Sequence, residues 1–182
     1  IMYKLHVRGF SMDAKASTTN GTFQAVSARI PYLQGIGVTT VELMPVYEFE
    51  ERIFPEEKVL PDYIQWEAED ADMIVPPEET KVLPKLNFWG YTKGNYFAVK
   101  SSYARNAAKA SMEYKALIRK LHQHGMECVM EFFFPEGTDQ NLILAALRFW
   151  VMEYHVDGFH LLGEKLPMTA IAQDKRLSRT KI

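Results

Sequence analysis

The chain contains 182 residues, of which 47% are hydrophobic and 13% aromatic, and its formal net charge is −2. This length is typical of one domain with a hydrophobic core. The small net charge predicts no nucleic-acid or anionic-lipid partner, and no apolar run approaches the roughly 18 residues of a membrane span. A single cysteine, Cys128, excludes a disulfide framework. No secretory signal opens the sequence, so we expect a cytoplasmic protein.

The first elements alternate between strand and helix. Residues 2–8 alternate in character and predict a strand. Residues 22–34 carry apolar side chains at helical spacing, which predicts a helix that Pro31 should bend or end early. Residues 39–44 are β-branched and apolar, which predicts the second strand.

A long acidic, proline-rich segment follows at about residues 47–86. It shows no sustained periodicity, which predicts an insertion loop. Loops of such length within a compact domain are usually functional.

The second half of the chain returns to alternating elements. The pattern predicts strands at 96–99, 127–133 and 159–162, and helices at 111–124, 139–154 and 166–178. Alternating strands and helices indicate an α/β fold with a parallel sheet. The count amounts to half to five-eighths of an eight-unit barrel, which needs roughly 250 residues when complete.

Several runs carry a family resemblance. Residues 147–162 read L-R-F-W-V-M-E-Y-H-V-D-G-F-H-L-L, and residues 39–46 read T-T-V-E-L-M-P-V. Residues 3–10 read Y-K-L-H-V-R-G-F, and residues 87–91 read N-F-W-G-Y. These runs resemble the α-amylase family of glycoside hydrolases (family 13), above all its pullulanase, isoamylase and glycogen-debranching members. The resemblance covers nearly all of the chain.

The resemblance implies a partial TIM (β/α)8 barrel, roughly its first half. Residues 1–182 would then form part of a catalytic-barrel domain, with the insertion at about 47–86. The implied partner is an α-glucan such as glycogen or starch, and no cofactor is implied.

The catalytic strand of that family departs from its pattern here. Family members read G-F-R-x-D, where the aspartate is the nucleophile and the arginine helps to hold it ionised. His160 stands at the arginine position and Leu162 at the aspartate position. A leucine cannot attack an anomeric carbon, whereas retaining glycosidases need two carboxyl groups about 5 Å apart. The resemblance therefore implies a lost nucleophile.

Two further motifs depart as well. Lys4 replaces the usual acidic residue of the first-strand motif, commonly Y-E-x-H-V-R-x-F in debranching members. The family carries D-V-V-Y-N-H where residues 131–136 read E-F-F-F-P-E. Glu131 thus stands for the aspartate, Pro135 for the asparagine and Glu136 for the histidine. That histidine donates a hydrogen bond to the sugar, which an ionised carboxylate cannot do. No catalytic position of the family that falls within this chain is intact. The preferred interpretation is a debranching-like protein that binds, or formerly hydrolysed, α-glucans and is catalytically inactive here.

Three residues are candidates for substrate contact. Tyr91 keeps the position of the family tyrosine that stacks on the sugar. His6 would lie in the barrel interior or at its rim, as a core histidine or as a substrate contact. Trp66, in the acidic segment, is a candidate for an exposed sugar-stacking ring. The histidines show no ligand spacing with cysteines or carboxylates, so no metal site is predicted.

Two alternatives remain open. A longer parent protein could be an active α-1,6-glucosidase with relocated carboxylates, such as Glu131, Glu136 or Glu164. Glu164 would share a face with Leu162 if the strand continued through Gly163. Alternatively, the chain could be a structural half-barrel that self-associates through its open edges.

Overall fold

The computed structural model describes residues 1–12, 18–54 and 84–182. The chain divides into two units, Ile1–Glu50 with Trp89–Ile182, and Glu51–Phe88. In chain order the elements are β1 (Met2–Leu5), α1 (Gly9–Met12), α2 (Phe23–Ala28), α3 (Ile30–Gly35), β2 (Thr40–Leu43), β3 (Tyr47–Phe49), β4 (Arg52–Ile53), β5 (Lys85–Leu86), β6 (Gly94–Val99), α4 (Ala110–Gln123), β7 (Glu127–Phe134), α5 (Gln140–Tyr154), β8 (Gly158–Gly163) and α6 (Met168–Gln173).

The main sheet contains four parallel strands in the order β1-β2-β7-β8. Parallel strands joined through helices confirm the α/β prediction. Four strands correspond to half of an eight-stranded barrel. Beyond β8, Lys181 forms a parallel bridge with Gly158, so the final residues of the chain pair with the outer edge of this sheet.

The third predicted strand does not belong to this sheet, which corrects the sequence-based count. β6 pairs antiparallel with β3 in a separate two-stranded sheet. Gly94 lies so close to the β3 backbone that an added Cβ would stand 2.3 Å from the carbonyl oxygen of Glu48. Periodicity identifies a strand but not its partner, and this close pairing takes β6 out of the parallel series.

Part of the segment predicted as an insertion loop, residues 47–86, lies among the described residues. Residues Tyr47–Phe49 form β3, and this strand belongs to the first unit. In the second unit, β4 and β5 form an antiparallel pair. Residues 55–83, which include Trp66, lie outside the described residues.

The predicted helix at 22–34 is two helices, α2 and α3, that meet at Arg29. Pro31 lies in the first turn of α3, where a proline costs no helical hydrogen bond. Thr22 caps α2, because its side-chain oxygen accepts a hydrogen bond from the Ala25 N–H at 3.4 Å. The break between the two helices therefore lies close to Pro31, where the sequence predicted a bend or an early end.

An aromatic core covers the helical side of the main sheet. Tyr47, Phe132 and Phe134 stack in a row, with ring centroids 5.2 and 5.3 Å apart. Trp150 of α5 is fully buried beside them and its indole N–H donates to the Tyr96 carbonyl oxygen at 2.6 Å. Each such side chain contributes about 1.5–3 kcal/mol on burial. This core fixes β7 and its neighbour β8.

Asp157 positions the start of β8. α5 ends at His155, whose left-handed backbone (φ 58°) turns the chain back toward the sheet. The Asp157 carboxylate accepts from the Cys128 backbone N–H and contacts His122 Nε2, each at 2.8 Å. The strand that carries His160 and Leu162 is thereby tied to β7.

The last helix is shorter than the sequence predicted. α6 covers Met168–Gln173 instead of 166–178. Asp174 ends it, because its carboxylate accepts from the backbone N–H of Arg176 at 2.8 Å and pairs with Arg148. Within the described ranges, no helix is long and apolar enough to cross a membrane.

Candidate functional site

Four strands of the main sheet each contribute one charged or titratable side chain to one place. In the strand register Lys4 pairs with Glu42, and Glu131 pairs with His160. Tyr91, from the segment before β6, joins them. We call these five residues the charged cluster. It lies on the sheet face opposite the aromatic core, because successive side chains of a strand point to opposite faces.

Glu131 is the centre of the charged cluster. Its Oε1 pairs with Lys4 Nζ and lies 3.2 Å from His160 Nδ1. Its Oε2 accepts a hydrogen bond from the Tyr91 hydroxyl at 2.9 Å. Both carboxylate oxygens therefore have partners within the chain.

Glu42 forms the second acidic position of the charged cluster. Its Oε1 lies 2.8 Å from His160 Nδ1 and 3.7 Å from Lys4 Nζ. His160 Nδ1 thus stands between the two carboxylates, and Lys4 Nζ also contacts both.

Exposure divides the charged cluster into buried acids and accessible bases. The side chains of Glu131 and Glu42 are 0% and 8% exposed, whereas those of Lys4 and His160 are 43% and 47% exposed. A buried carboxylate is costly unless a cation and hydrogen bonds compensate it. The cluster supplies both.

The pKa directions follow from these contacts. Burial acts to lower the pKa of Lys4, but the hydrogen bond and charge of Glu131 outweigh it and raise the pKa above its ordinary value. Burial raises the pKa of the Tyr91 phenol, and the bond to Glu131 adds to that rise. At neutral pH Lys4 is therefore a cation and Tyr91 a hydroxyl donor.

Three members of the charged cluster are also of metal-ligand types. Ligand atoms of Glu42, Glu131 and His160 lie within 4.8 Å of one another, a grouping that sequence spacing does not show. Carboxylates and imidazole are ligands of several divalent metals. Here, however, the Lys4 ammonium contacts both carboxylates. The arrangement is therefore that of an ion-pair network.

The degenerate catalytic positions do not form a carboxylate pair. Leu162 is half-buried beside Phe133, its register partner on β7. Pro135 and Glu136 follow the end of β7, and the Glu136 carboxylate is 67% exposed and lies 3.4 Å from Lys165 Nζ. This geometry offers no buried acid beside Leu162 from that loop.

Glu164 lies beyond the end of β8 and is exposed. Gly163 has φ +152°, and an added Cβ would stand 2.4 Å from the Phe134 carbonyl oxygen. The strand therefore ends before Glu164 can share the face of Leu162. Within the part of the chain that the structure describes, no hydrogen bond or ion pair joins Glu136 or Glu164 to the charged cluster.

His6 is a buried histidine with both ring nitrogens engaged. It is 7% exposed. Its Nδ1 accepts from the Gly9 backbone N–H at 3.0 Å, and its Nε2 lies 3.0 Å from the Tyr103 hydroxyl. These bonds account for the ring within the fold. Of the two roles that the sequence left open, the geometry supports the core histidine.

Tyr91 is held in a constrained segment and remains partly accessible. The Tyr47 hydroxyl lies within 3.1 Å of the carbonyl oxygens of Gly90 and Thr92. Gly90 has φ +77°, and an added Cβ would stand 2.4 Å from the Phe49 ring. Tyr91 as a whole residue is 37% exposed, and its ring lies edge-on to Phe133. A sugar ring can therefore reach part of it.

Lys4 and Glu42 are the members of the charged cluster that sequence reasoning did not select as site residues. Lys4 was visible as a base at an acidic position of the family, and Glu42 as part of a matching motif. Their proximity depends on the register of β1, β2 and β7. Alternation along each strand was the available signal, but register between distant strands was not.

The fold and the motifs together are those of part of an α-amylase-type barrel domain. The family model described as "Alpha amylase, catalytic domain" matches residues 8–141. The chain belongs to this family of glycoside hydrolases.

Curated relatives include isoamylases. Isoamylase 3 of Oryza sativa subsp. japonica, a chloroplastic protein, is 28% identical over 100% of this chain and 29% of its own length. The isoamylase of Pseudomonas amyloderamosa is 28% identical over 76% of this chain and 16% of its own length. The chain thus spans less than a third of each of these relatives.

Solved structures show the same architecture. A pullulanase from Paenibacillus barengoltzii, in complex with maltohexaose and α-cyclodextrin, superposes with a TM-score of 0.63 at 22% identity. The match covers 88% of this chain and 30% of that enzyme. This similarity confirms that the four-stranded sheet is part of a TIM barrel.

Proposed function

We propose that this chain is the α-glucan-binding part of a debranching-type member of the α-amylase family, and that it has lost retaining hydrolysis at these strands. Tyr91 supports the binding role, because a partly exposed phenol ring at the family's stacking position offers an apolar face to a sugar. The maltohexaose in the Paenibacillus pullulanase structure indicates the ligand class.

The observation that carries the proposal is the state of the carboxylates. A nucleophile needs an oxygen that can reach the anomeric carbon. Glu131 is fully buried and both its oxygens are bonded within the chain. Leu162 stands at the nucleophile position on the neighbouring strand. This arrangement favours binding over attack.

The two alternatives make different demands on the structure. A longer active α-1,6-glucosidase would need Glu131, Glu136 or Glu164 to approach the sugar, and the latter two are exposed and outside the charged cluster. A self-associating half-barrel would use the outer edge of β1 and the part of the β8 edge beyond its bridge with Lys181. The names of several isoamylase relatives place them in chloroplasts, so the cytoplasmic expectation stays a prediction.

The release of reducing sugar from pullulan and glycogen tests the loss of hydrolysis. We expect no release above the rate without protein, because no carboxylate of the described residues takes the place of Leu162. The paired variants Glu164→Gln and Glu136→Gln serve as matched controls. Turnover by the unmodified chain, or by a longer protein that contains it, would contradict the proposal, and its loss in either variant would identify the relocated carboxylate.

A further inference from the structure

The side chain of Tyr91 is fixed from two directions. Its backbone segment is held through the Tyr47 hydroxyl and the close contact of Gly90 with Phe49. Its hydroxyl donates to Glu131 Oε2 at 2.9 Å. Tyr91 is 37% exposed, and because its hydroxyl is bonded to Glu131, the direction of its ring depends on where Glu131 stands.

Glu131 in turn depends on a cation. Its side chain is 0% exposed, and the permanent positive charge against it is that of Lys4. His160 Nδ1 lies 3.2 Å from Glu131 but only 2.8 Å from Glu42, so one ring N–H is shared between two carboxylates. The Lys4 ammonium, in contrast, pairs most closely with Glu131 and lies 3.7 Å from Glu42.

From these contacts we infer that Lys4 is a positioning residue for α-glucan binding: its ammonium group neutralises buried Glu131, which fixes the Tyr91 ring against which the sugar stacks. This inference rests on the proposed function. It assigns a role to Lys4, which stands where the family's motif has an acidic residue. The cation that supports the site is then supplied by β1, and not by the arginine position on β8.

The inference separates Lys4 from residues that only stabilise the fold. Lys4 itself does not stack on the sugar in this scheme. Its removal should weaken binding through Tyr91 alone. A double-mutant cycle tests such coupling, because two residues that act through one another give non-additive effects.

The experiment is a titration of the full 182-residue chain with maltohexaose. We expect Tyr91→Ala to raise the Kd about fivefold, the worth of one stacking contact. Lys4→Met should raise it by a similar factor in the otherwise unmodified chain and cause no further rise in the Tyr91→Ala background. Lys4→Arg should restore the Kd, and Tyr91→Phe, which keeps the ring but loses the hydroxyl, should resemble Lys4→Met.

The matched control is Lys115→Met, which removes the lysine of an exposed pair with Glu153 on α4 and α5. It should leave the Kd unchanged. Thermal unfolding of each variant shows that it is folded at the temperature of the titration. An equal effect of Lys4→Met with and without Tyr91 would overturn the inference.

A ligand-free measurement keeps the inference separate from the proposed function. In the NMR spectrum of ring-labelled tyrosine, the Tyr91 signal, assigned by its loss in Tyr91→Phe, should shift in Lys4→Met and Glu131→Gln but not in Lys115→Met. An unmoved signal refutes the positioning role even if maltohexaose binds. If the signal shifts but the unmodified chain does not bind maltohexaose, the proposed function is refuted, and with it the role of Lys4 in glucan binding. The contact between Lys4, Glu131 and Tyr91 is then still supported.

Discussion

Glu131 shows how a single buried carboxylate determines the character of the site. It stands at the position of the family's aspartate, yet both oxygens bond to side chains of this chain, Lys4, His160 and Tyr91. A carboxylate so engaged acts as a fixed acceptor. The same residue in an empty pocket could have been a general acid or a nucleophile.

Removal of Lys4 should destabilise the fold as well as the site. Lys4→Met leaves the Glu131 charge buried without its lysine partner. The loss of one partner of a buried ion pair costs about 3–5 kcal/mol, and the cost should be smaller here because His160 Nδ1 remains 3.2 Å from Glu131. We expect a loss of about 2 kcal/mol in the free energy of unfolding, measured in urea. Lys4→Met/Glu131→Met should recover most of it. For comparison, Lys115→Met should cost below about 1 kcal/mol, and an equally small effect at Lys4 would contradict the buried-charge account.

The small sheet of β3 and β6 is joined by a second ion pair. Lys100, just after β6, is 3% exposed and its Nζ donates to Glu48 Oε1 at 2.6 Å and to the Phe49 carbonyl oxygen at 2.8 Å. Glu48 Oε2 also accepts from the Ser101 backbone N–H at 2.7 Å. This pair fixes the strand whose Tyr47 holds the Tyr91 segment.

Glu48 should make stability depend on acid pH. Burial acts to raise its pKa, but the bonds from Lys100 and Ser101 outweigh it and lower the pKa below the ordinary 4.5. A lowered pKa in the folded state means that ionised Glu48 stabilises the fold at pH above about 4.5, and that this contribution is lost as the pH falls further.

We therefore expect Glu48→Gln to lower the free energy of unfolding by about 1 kcal/mol at pH 7. The difference in the free energy of unfolding between Glu48→Gln and the unmodified chain should shrink as the pH falls below 4.5. Urea unfolding at several pH values measures it. Glu136→Gln, at an exposed pair with Lys165, is the control and should show no such convergence. A constant difference for Glu48→Gln at all pH values would refute the account.

The helices whose ends the sequence predicted best have residues at those ends that signal a helix terminus. Gly125 ends α4, Asp139 caps α5, and both helices lie within one residue of their predicted ends. The sequence could not show that β6 leaves the parallel sheet, or that Arg148 pairs with Asp174 at the end of α6, because both depend on contacts between distant segments. The charged cluster could not be predicted from the sequence for the same reason, because its formation depends on the register of four strands.

At the scale of the molecule, the main sheet is half of a barrel with outer edges at β1 and β8, and Lys181 pairs with the start of the β8 edge. A cleft of about 550 Å³ lies beside β8, with Met2, Val129, Phe159 and Leu161 among its lining residues. Val129 shares the face of Glu131, whereas Leu161 is the register partner of Phe132 and belongs to the other face. Val129 and Phe159 are buried, whereas Met2 is exposed. Open sheet edges and exposed apolar side chains favour association.

The chain alone should therefore self-associate. Light scattering over a concentration series should show a mass that rises above 21.0 kDa. Two copies would supply eight strands, the number of a closed barrel. A strictly monomeric chain that unfolds cooperatively at high micromolar concentration would contradict this prediction.

Calorimetric titration with maltohexaose, the unmodified chain against Tyr91→Ala, tests the central claim most directly. We predict weak binding by the unmodified chain, in which the Tyr91 ring contributes about 1 kcal/mol of the binding free energy. The Kd of the variant should be correspondingly higher. Identical binding by both proteins, or binding by neither, would contradict the claim that this family member retains an α-glucan site at Tyr91.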